Sequence, residues 1–389
     1  MSELPHRDVP AAADVVIIGG GVMGVSTAFH LAEAGVQDVV LLEKGYLGSG
    51  STCKAAGGVR AQFSDRLNIE LGARSLEAFE RFSQRPGQEI DLHSVGYLFL
   101  LDDPRTVATF ERSVALQNEL GVPSRMLTPQ EARELSPFIS TDGLLAASFS
   151  PTDGHCSPES VVLGYATAAR RRGATLITHC PVTGIEQEGS EITAVVTPGG
   201  RIRTGTVICA AGAWSRQIGA MARIDLPVIP LRRQILITEP ISDVPTDLPM
   251  TIDFSSTFYF HGEGAGLLIG MSDPDEEPGF MMNRSDAWLP RLAEAITRRT
   301  PSLESVGLAG GWAGLYEMTP DHNALVGESA VVSRMLYATG FSGHGFLMGP
   351  AIGEVMRDLY LQREPVIDVS PLSAARFERS SGRPELNIV

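Results

Sequence analysis

Apolar positions along the chain follow two rhythms. In the N-terminal part they come as short unbroken runs and as helical stripes. Val15 to Ile18 is a run of four β-branched residues, the pattern of a parallel strand buried on both faces. A glycine turn and a helix reaching about residue 34 follow, Gly35 closes that helix, and Val39 to Leu42 form a second buried run. Residues 65 to 82 carry Leu67, Leu71, Leu76, Phe79 and Phe82 at roughly helical spacing. Tyr97 to Leu101 then reads as a strand, and Asp103-Pro104 opens a helix with Val107, Phe110 and Val114 on one face. Thr128 to Glu131 is a capping box with proline at the first helical position. Another helix opens at Ser157 and stops at Gly173. After it come strand-like pieces at 175–178, 192–196 and 201–203, and the buried run Val207–Cys209, which ends in small residues.

From Pro230 the period becomes two. Residues 233–238, 257–261 and 266–271 read as strands of an antiparallel sheet, with Phe258 and Phe260 facing one side and Tyr259 and His261 the other. Residues 285–299 are helical, with Leu289, Leu292 and Ile296 inward. A glycine-rich texture occupies 310–321. Residues 335–338 are a further strand, running into a second glycine loop over 340–350 and a last helix. There is no internal repeat, low-complexity segment or clean linker, so the two textures belong to domains that interleave.

The first turn carries chemistry. Gly19, Gly21 and Gly24 supply G-x-G-x-x-G between a strand and a helix: the first allows the tight turn, the second lets backbone approach a pyrophosphate, and the third packs helix on strand. Glu43 ends the second strand, where a carboxylate accepts hydrogen bonds from both hydroxyls of an adenosine ribose and disfavours a 2′-phosphate. Strand, glycine turn, helix, second strand and terminal acid in register predict dinucleotide binding. Gly48 to Arg60 is a small-residue loop with too little bulk to be core, and its hydroxyls and amides suit the rest of a cofactor.

Composition narrows the partners. The 31 basic and 46 acidic residues give a formal charge of −15, which argues against a nucleic-acid surface. The dense basic run, Arg170 to Arg172, ends a helix and complements its negative terminus. Cys53, Cys156, Cys180 and Cys209 are scattered without a C-x-x-C pair, so no metal or redox motif is expected, and they read as free thiols of a cytoplasmic, reducing compartment. The first 13 residues have no apolar core of a signal peptide, and no stretch approaches the ~18 apolar residues of a membrane span.

Five of these stretches together resemble the flavoprotein family of D-amino-acid oxidase, glycine oxidase and sarcosine oxidase. The resemblance is greatest to the branch of the sarcosine oxidase β-subunit, dimethylglycine dehydrogenase and dye-linked proline dehydrogenase. They are G-G-G-V-M-G with Glu43, the Gly50-Ser51-Thr52 loop ending in Arg60, A-A-G-A-W at 210–214, G-L-Y-E-M-T-P-D at 314–321 and G-F-S-G-H-G-F at 340–346. The resemblance implies an α/β (α+β) fold. A glutathione-reductase-like FAD domain with a Rossmann βαβ unit, over 1–93, 146–227 and 303–389, interleaves with a substrate domain on a mixed, largely antiparallel sheet, over 94–145 and 228–302. It also implies one FAD. Gly19, Gly21, Val22, Met23 and Gly24 would meet the pyrophosphate, Glu43 and Lys44 the ribose region, and Ser51 and Thr52 the middle of the cofactor. Val182 would meet adenine, while Ala211, Gly212, Trp214 and Gly314 line the site. Gly343, His344, Gly345, Phe346, Leu347 and Met348 would cover the pyrimidine end of the flavin.

Departures from the family pattern carry information too. Relatives that tether flavin do so through a histidine or cysteine at the positions held here by Lys54 and Gly314, so the resemblance implies non-covalent FAD. Monomeric sarcosine oxidases place lysines where this chain has Leu347 and Leu268. Arg60 is then the best-placed carboxylate partner, the oxidase half-reaction lacks its usual lysine, and Lys54 is left to supply a positive charge over the flavin. Arg60, Lys54, Tyr259 and His344 are the candidate catalytic side chains, and no metal site is expected. The implied activity is hydride transfer to flavin N5 from the carbon beside nitrogen of a small N-alkyl or cyclic amino acid such as sarcosine, dimethylglycine or proline, followed by imine hydrolysis. Oxidation of a D-amino acid, glycine or a 2-hydroxy acid shares every motif. So does a flavin-binding electron-transfer or assembly subunit of a larger complex. The electron acceptor (oxygen, a quinone or a redox partner) and the subunits of any hetero-oligomer are open at this level.

Overall fold

The computed structural model describes residues 9–379 and 384–387. Two large sheets organise it. The first has six strands in the order Leu325–Glu328, Met335–Thr339, Val207–Cys209, β1 (Val15–Ile18), β2 (Val39–Leu42) and Thr175–Ile177. All neighbours are parallel except the first pair. Every residue of β1 and β2 is buried, which accounts for their unbroken apolar runs. Val15 and Ile17 pack among α1 (Val22–Glu33) and the helices Pro158–Arg171 and Gly345–Tyr360. Val16 and Ile18 face a small three-stranded sheet that contributes Ile185, Val195 and Ile202.

The second sheet has eight strands, in the order Leu308–Met318, Ile229–Thr238, Gly266–Met271, Phe258–Glu263, Met250–Asp253, Tyr97–Leu101, Ala146–Ser150 and Arg125–Leu127. It is antiparallel except where Met250–Asp253 lies on Tyr97–Leu101. One face closes a core in which Phe258, Phe260, Leu267 and Ile269 meet Trp288 and Leu292. The alternation at 258–261 is as expected, since Phe258 and Phe260 enter this core while Tyr259 and His261 take the other face.

Two elements differ from the sequence reading. The glycine-rich stretch from 310 lies in an 11-residue strand, Leu308–Met318, paired along its length with Ile229–Thr238. Glycines hide the period-two pattern because they offer no side chain to alternate, and the pairing partner supplies the order instead. The helix expected from 285 begins at Leu289. The Ser285 amide is committed to the Gln234 side chain of the sheet at 2.7 Å, and Pro290 occupies the first helical turn.

The four cysteines are free thiols. Among the described residues no helix is long and apolar enough to cross a membrane, and no cluster of His, Cys, Asp or Glu could hold a metal ion. Residues 384–387 dock on the start of α2 (Arg66–Glu80). The buried Glu385 carboxylate accepts hydrogen bonds from the Ser64 amide (2.8 Å), the Ser64 hydroxyl (2.6 Å) and Asn68 Nδ2 (2.9 Å).

Candidate functional site

A cavity of about 580 Å³ is lined by residues of both large sheets. Its first end is the turn from β1 into α1. A Cβ at Gly19 (φ +113°) would lie 2.2 Å from the Ala210 carbonyl oxygen, and one at Gly24 would lie 1.9 Å from the Gly19 carbonyl oxygen. Only glycine permits either approach, so these residues bring the α1 N-terminus against the cavity. The Val22 amide donates to Thr52 Oγ1 at 3.1 Å. The first turn of a helix has further amides without intrahelical partners, and these, with the positive helix end, suit a pyrophosphate.

Glu43 is held at the wall by two short bonds, the Gly20 amide donating to Oε2 and the Gly45 amide to Oε1, each 2.7 Å. Lys44 Nζ sits 3.2 Å from the centroid of the Trp214 ring, and partial burial lowers its pKa against the opposing pull of Glu43. Ser51 Oγ donates to the Leu315 carbonyl at 2.6 Å, which ties the small-residue loop to the second sheet. Val182, Ala211, Gly212 and Gly314 line the same space. A second helix N-terminus, that of Gly345–Tyr360, opens onto the cavity through Gly343 to Leu347 and has no acidic residue in its first turn. Narrow glycine approaches, two helix N-termini and a fixed carboxylate fit an FAD molecule laid along the cavity.

The far end is built by the second sheet. In register, Arg233 lies opposite Gly314, Ile252 opposite Tyr259 and Met250 opposite Tyr97. Successive strand residues point to opposite faces, so one face delivers Tyr97, Arg233, Ile235, Met250, Ile252, Tyr259 and Tyr316 to the cavity. Burial pushes the phenols of Tyr97, Tyr259 and Tyr316 upward, so all three are neutral hydrogen-bonding groups at neutral pH.

Arg60 enters from the loop after the short strand Gly58–Val59 and is only 5% exposed. Its guanidinium lies 4.1 Å from the Phe63 ring centroid and donates to the carbonyls of Gln62 and Asn387, the latter at 2.8 Å. Burial draws its pKa down, and the partial compensation comes from Tyr97, Glu385, Asp153 and Tyr316. Among the described residues no carboxylate lies within ion-pair distance of Lys54, Arg60 or Arg233, all three of which line the cavity. His344 is buried, its Nε2 has no partner among the described residues, and desolvation holds its pKa at about 3, so it stands as a neutral ring edge-on to Phe63.

The structure thus brings Lys54, Arg60, Tyr259 and His344 into one cavity with Gly19, Gly21, Val22, Met23, Glu43, Lys44, Ser51, Thr52, Val182, Ala211, Gly212, Trp214, Gly314, Gly343, Gly345, Phe346 and Leu347. Gly24 packs beneath the turn and not at the wall. Met348, expected at the flavin, is fully buried in the core around α1, because one step along the helix turns its side chain away from the opening. Sequence reasoning missed Tyr97, Arg233 and Tyr316. The signal available for Arg233 was the Arg232-Arg233 pair at the start of a period-two run, where one of two adjacent side chains must face inward.

The model of the FAD dependent oxidoreductase (DAO) family matches residues 14–359. The chain belongs to this family. It is a flavoprotein whose cofactor is FAD, in a family of amine and amino-acid oxidoreductases. Mitochondrial dimethylglycine dehydrogenase of Rattus norvegicus is 32% identical over 385 residues, covering 94% of this chain and 45% of that protein. L-proline dehydrogenase from P. horikoshii has a TM-score of 0.90 at 36% identity, covering 96% of this chain and 100% of that one. Glycine oxidase from Geobacillus kaustophilus has a TM-score of 0.84 at 27% identity, covering 94% and 99%. The flavoprotein spans less than half the length of the mitochondrial dehydrogenases it matches.

Proposed function

We propose that the protein oxidises a small N-alkyl or cyclic amino acid at the carbon beside nitrogen. The observation that carries this reading is Arg60, a buried cation without a carboxylate partner among the described residues, lining the same cavity as the dinucleotide cradle. An unpaired buried guanidinium is a costly arrangement that a ligand carboxylate relieves by charge-assisted, two-point hydrogen bonding. Dimethylglycine dehydrogenase and L-proline dehydrogenase among its relatives support the amine class.

FAD supplies the hydride acceptor when bound, held without a covalent link because Lys54 and Gly314 occupy the tethering positions. The chain's own residues do the rest. Arg60 anchors the carboxylate and fixes which carbon is presented. Tyr97, Tyr259 and Tyr316 surround the amine with neutral groups, and the nearby cations with the dry walls favour the uncharged amine, the form that can release hydride. The division into a cofactor domain (1–93, 146–227, 303–389) and a substrate domain (94–145, 228–302) goes with this reading, although the strands Ala146–Ser150 and Leu308–Met318 pair in the second sheet.

The test is anaerobic flavin reduction with a panel of amines, on protein whose yellow cofactor is first shown to leave the polypeptide in acid. Sarcosine, dimethylglycine or proline should bleach the flavin. Arg60→Ala should retain FAD and raise the dissociation constant of the best amino acid about 10- to 100-fold, while an amine without a carboxylate is almost indifferent. A panel in which no amine reduces the flavin would overturn the reading, and normal amino-acid binding by Arg60→Ala would remove the clamp.

A further inference from the structure

Arg233 is the second arginine of the cavity, and nothing in the cofactor cradle uses it. It projects from Ile229–Thr238 next to Arg232, and the two take opposite faces. Arg232 pairs with Glu276 at 2.8 Å and donates to the Asn283 carbonyl, so the acid available at this strand is already engaged. Arg233 donates to the Arg232 carbonyl at 3.0 Å and lies 5.1 Å from the Tyr316 ring centroid, while its buried Nε has no partner among the described residues.

Its surroundings add positive charge. Gly314 is its register partner, and Cβ and Cγ of Lys54 lie against Gly314, so the stem of a further cation packs beside this strand pair. Tyr316 is near both arginines: Arg233 lies 5.1 Å from its ring centroid, the Arg60 charge also acts on its phenol, and its ring packs against Gly343. The cavity therefore holds two arginines without a carboxylate partner among the described residues, more positive charge than one substrate carboxylate neutralises.

We propose that Arg233 binds a second acidic group of the substrate, so that the site takes secondary amines carrying a carboxylate on each side of the nitrogen. This rests on the amine-oxidoreductase reading with Arg60 as the first anchor, and it names the substrate class. A monocarboxylate leaves the Arg233 side uncompensated, whereas an N-carboxyalkyl amino acid neutralises both sides at once. Lys54 adds attraction at the second carboxylate, and the planar guanidinium supplies the two-point geometry that a lysine lacks.

The experiment compares two ligands that contain no amine, oxydiacetate with two carboxylates and methoxyacetate with one, by titration of the flavin absorbance of the FAD-loaded protein. Oxydiacetate should bind at least about tenfold more tightly, the effect of one additional charge-assisted pair. Arg233→Met should bring the ratio to within about twofold, and Arg233→Lys should keep part of it. FAD content of each variant reports whether it is folded, and the lysine variant carries the test if the methionine variant is not. Equal affinities in the parent, a ratio that survives in Arg233→Met, or binding of neither acid would overturn the proposal. Because neither probe can be oxidised as an amine, this outcome is separate from whether any amine reduces the flavin.

Discussion

The two ends of the cavity are made by different means. At the cofactor end the contacts come from main chain: two helix N-termini, glycines against carbonyl oxygens 1.9 and 2.2 Å from where a Cβ would stand, and a carboxylate fixed by two amides. At the far end, which we propose takes the substrate, they come from side chains on one face of an antiparallel sheet, with three neutral tyrosines and cations that have no carboxylate partner among the described residues. A dinucleotide presents the same phosphates and ribose whatever the substrate, so backbone geometry can serve it. A substrate is told apart by charge and shape, which side chains at alternate strand positions can change without disturbing the fold.

The contrast can be broken where it is sharpest. In Gly24→Val the new side chain meets a carbonyl oxygen of the neighbouring turn, which cannot move without undoing β1 and α1. The expected loss is at least about 3 kcal/mol of stability, with no FAD retained through gel filtration. A flavin-replete Gly24→Val protein would show that the turn tolerates bulk and that main-chain closeness is not what builds this end.

The second sheet should fail through a side chain instead. Arg299 and Asp253 are each 1% exposed and joined Nε to Oδ1 at 2.9 Å, and Arg298 adds a contact to Oδ2 at 2.7 Å. Asp253→Asn removes the nearer of two acids from Arg299, leaving Asp102 Oδ2 at 3.5 Å, and should cost about 1.5 to 3 kcal/mol in denaturant unfolding. A cost under ~1 kcal/mol would mean that this core does not depend on the pair.

The smallest effect belongs to a glycine in the second sheet. A Cβ at Gly310 meets nothing within 4 Å, and the residue, beside an irregularity in the pairing of Leu308–Met318, lies outside the left-handed region. Gly310→Ala should change the unfolding free energy by no more than about 0.5 kcal/mol, in contrast with Gly24. A larger loss, measured side by side, would place a main-chain requirement in the substrate half as well.

What was legible in the sequence follows the same division. Val15 to Glu43 could be read directly because its strand, turn, helix and second strand are consecutive, so local propensity and spacing carry the whole unit. The late glycine loop before Gly345–Tyr360 was legible on the same grounds, and Tyr259 from the two-residue period of its own strand. Arg233, Tyr97 and Tyr316 were not. They sit on strands 229–238, 97–101 and 308–318, and only the sheet order and register place their side chains on one surface. Nor could the sequence tell that Arg232 meets Glu276 while Arg233 meets no acid among the described residues, since that depends on which residues 40 or more positions away fold against each face. The sequence by itself determined the strand, glycine turn, helix and second strand that form the dinucleotide cradle, because they lie within one consecutive βαβ unit. The tertiary structure alone decided which charges remain unpaired in the cavity, because pairing is settled by long-range packing and not by spacing along the chain.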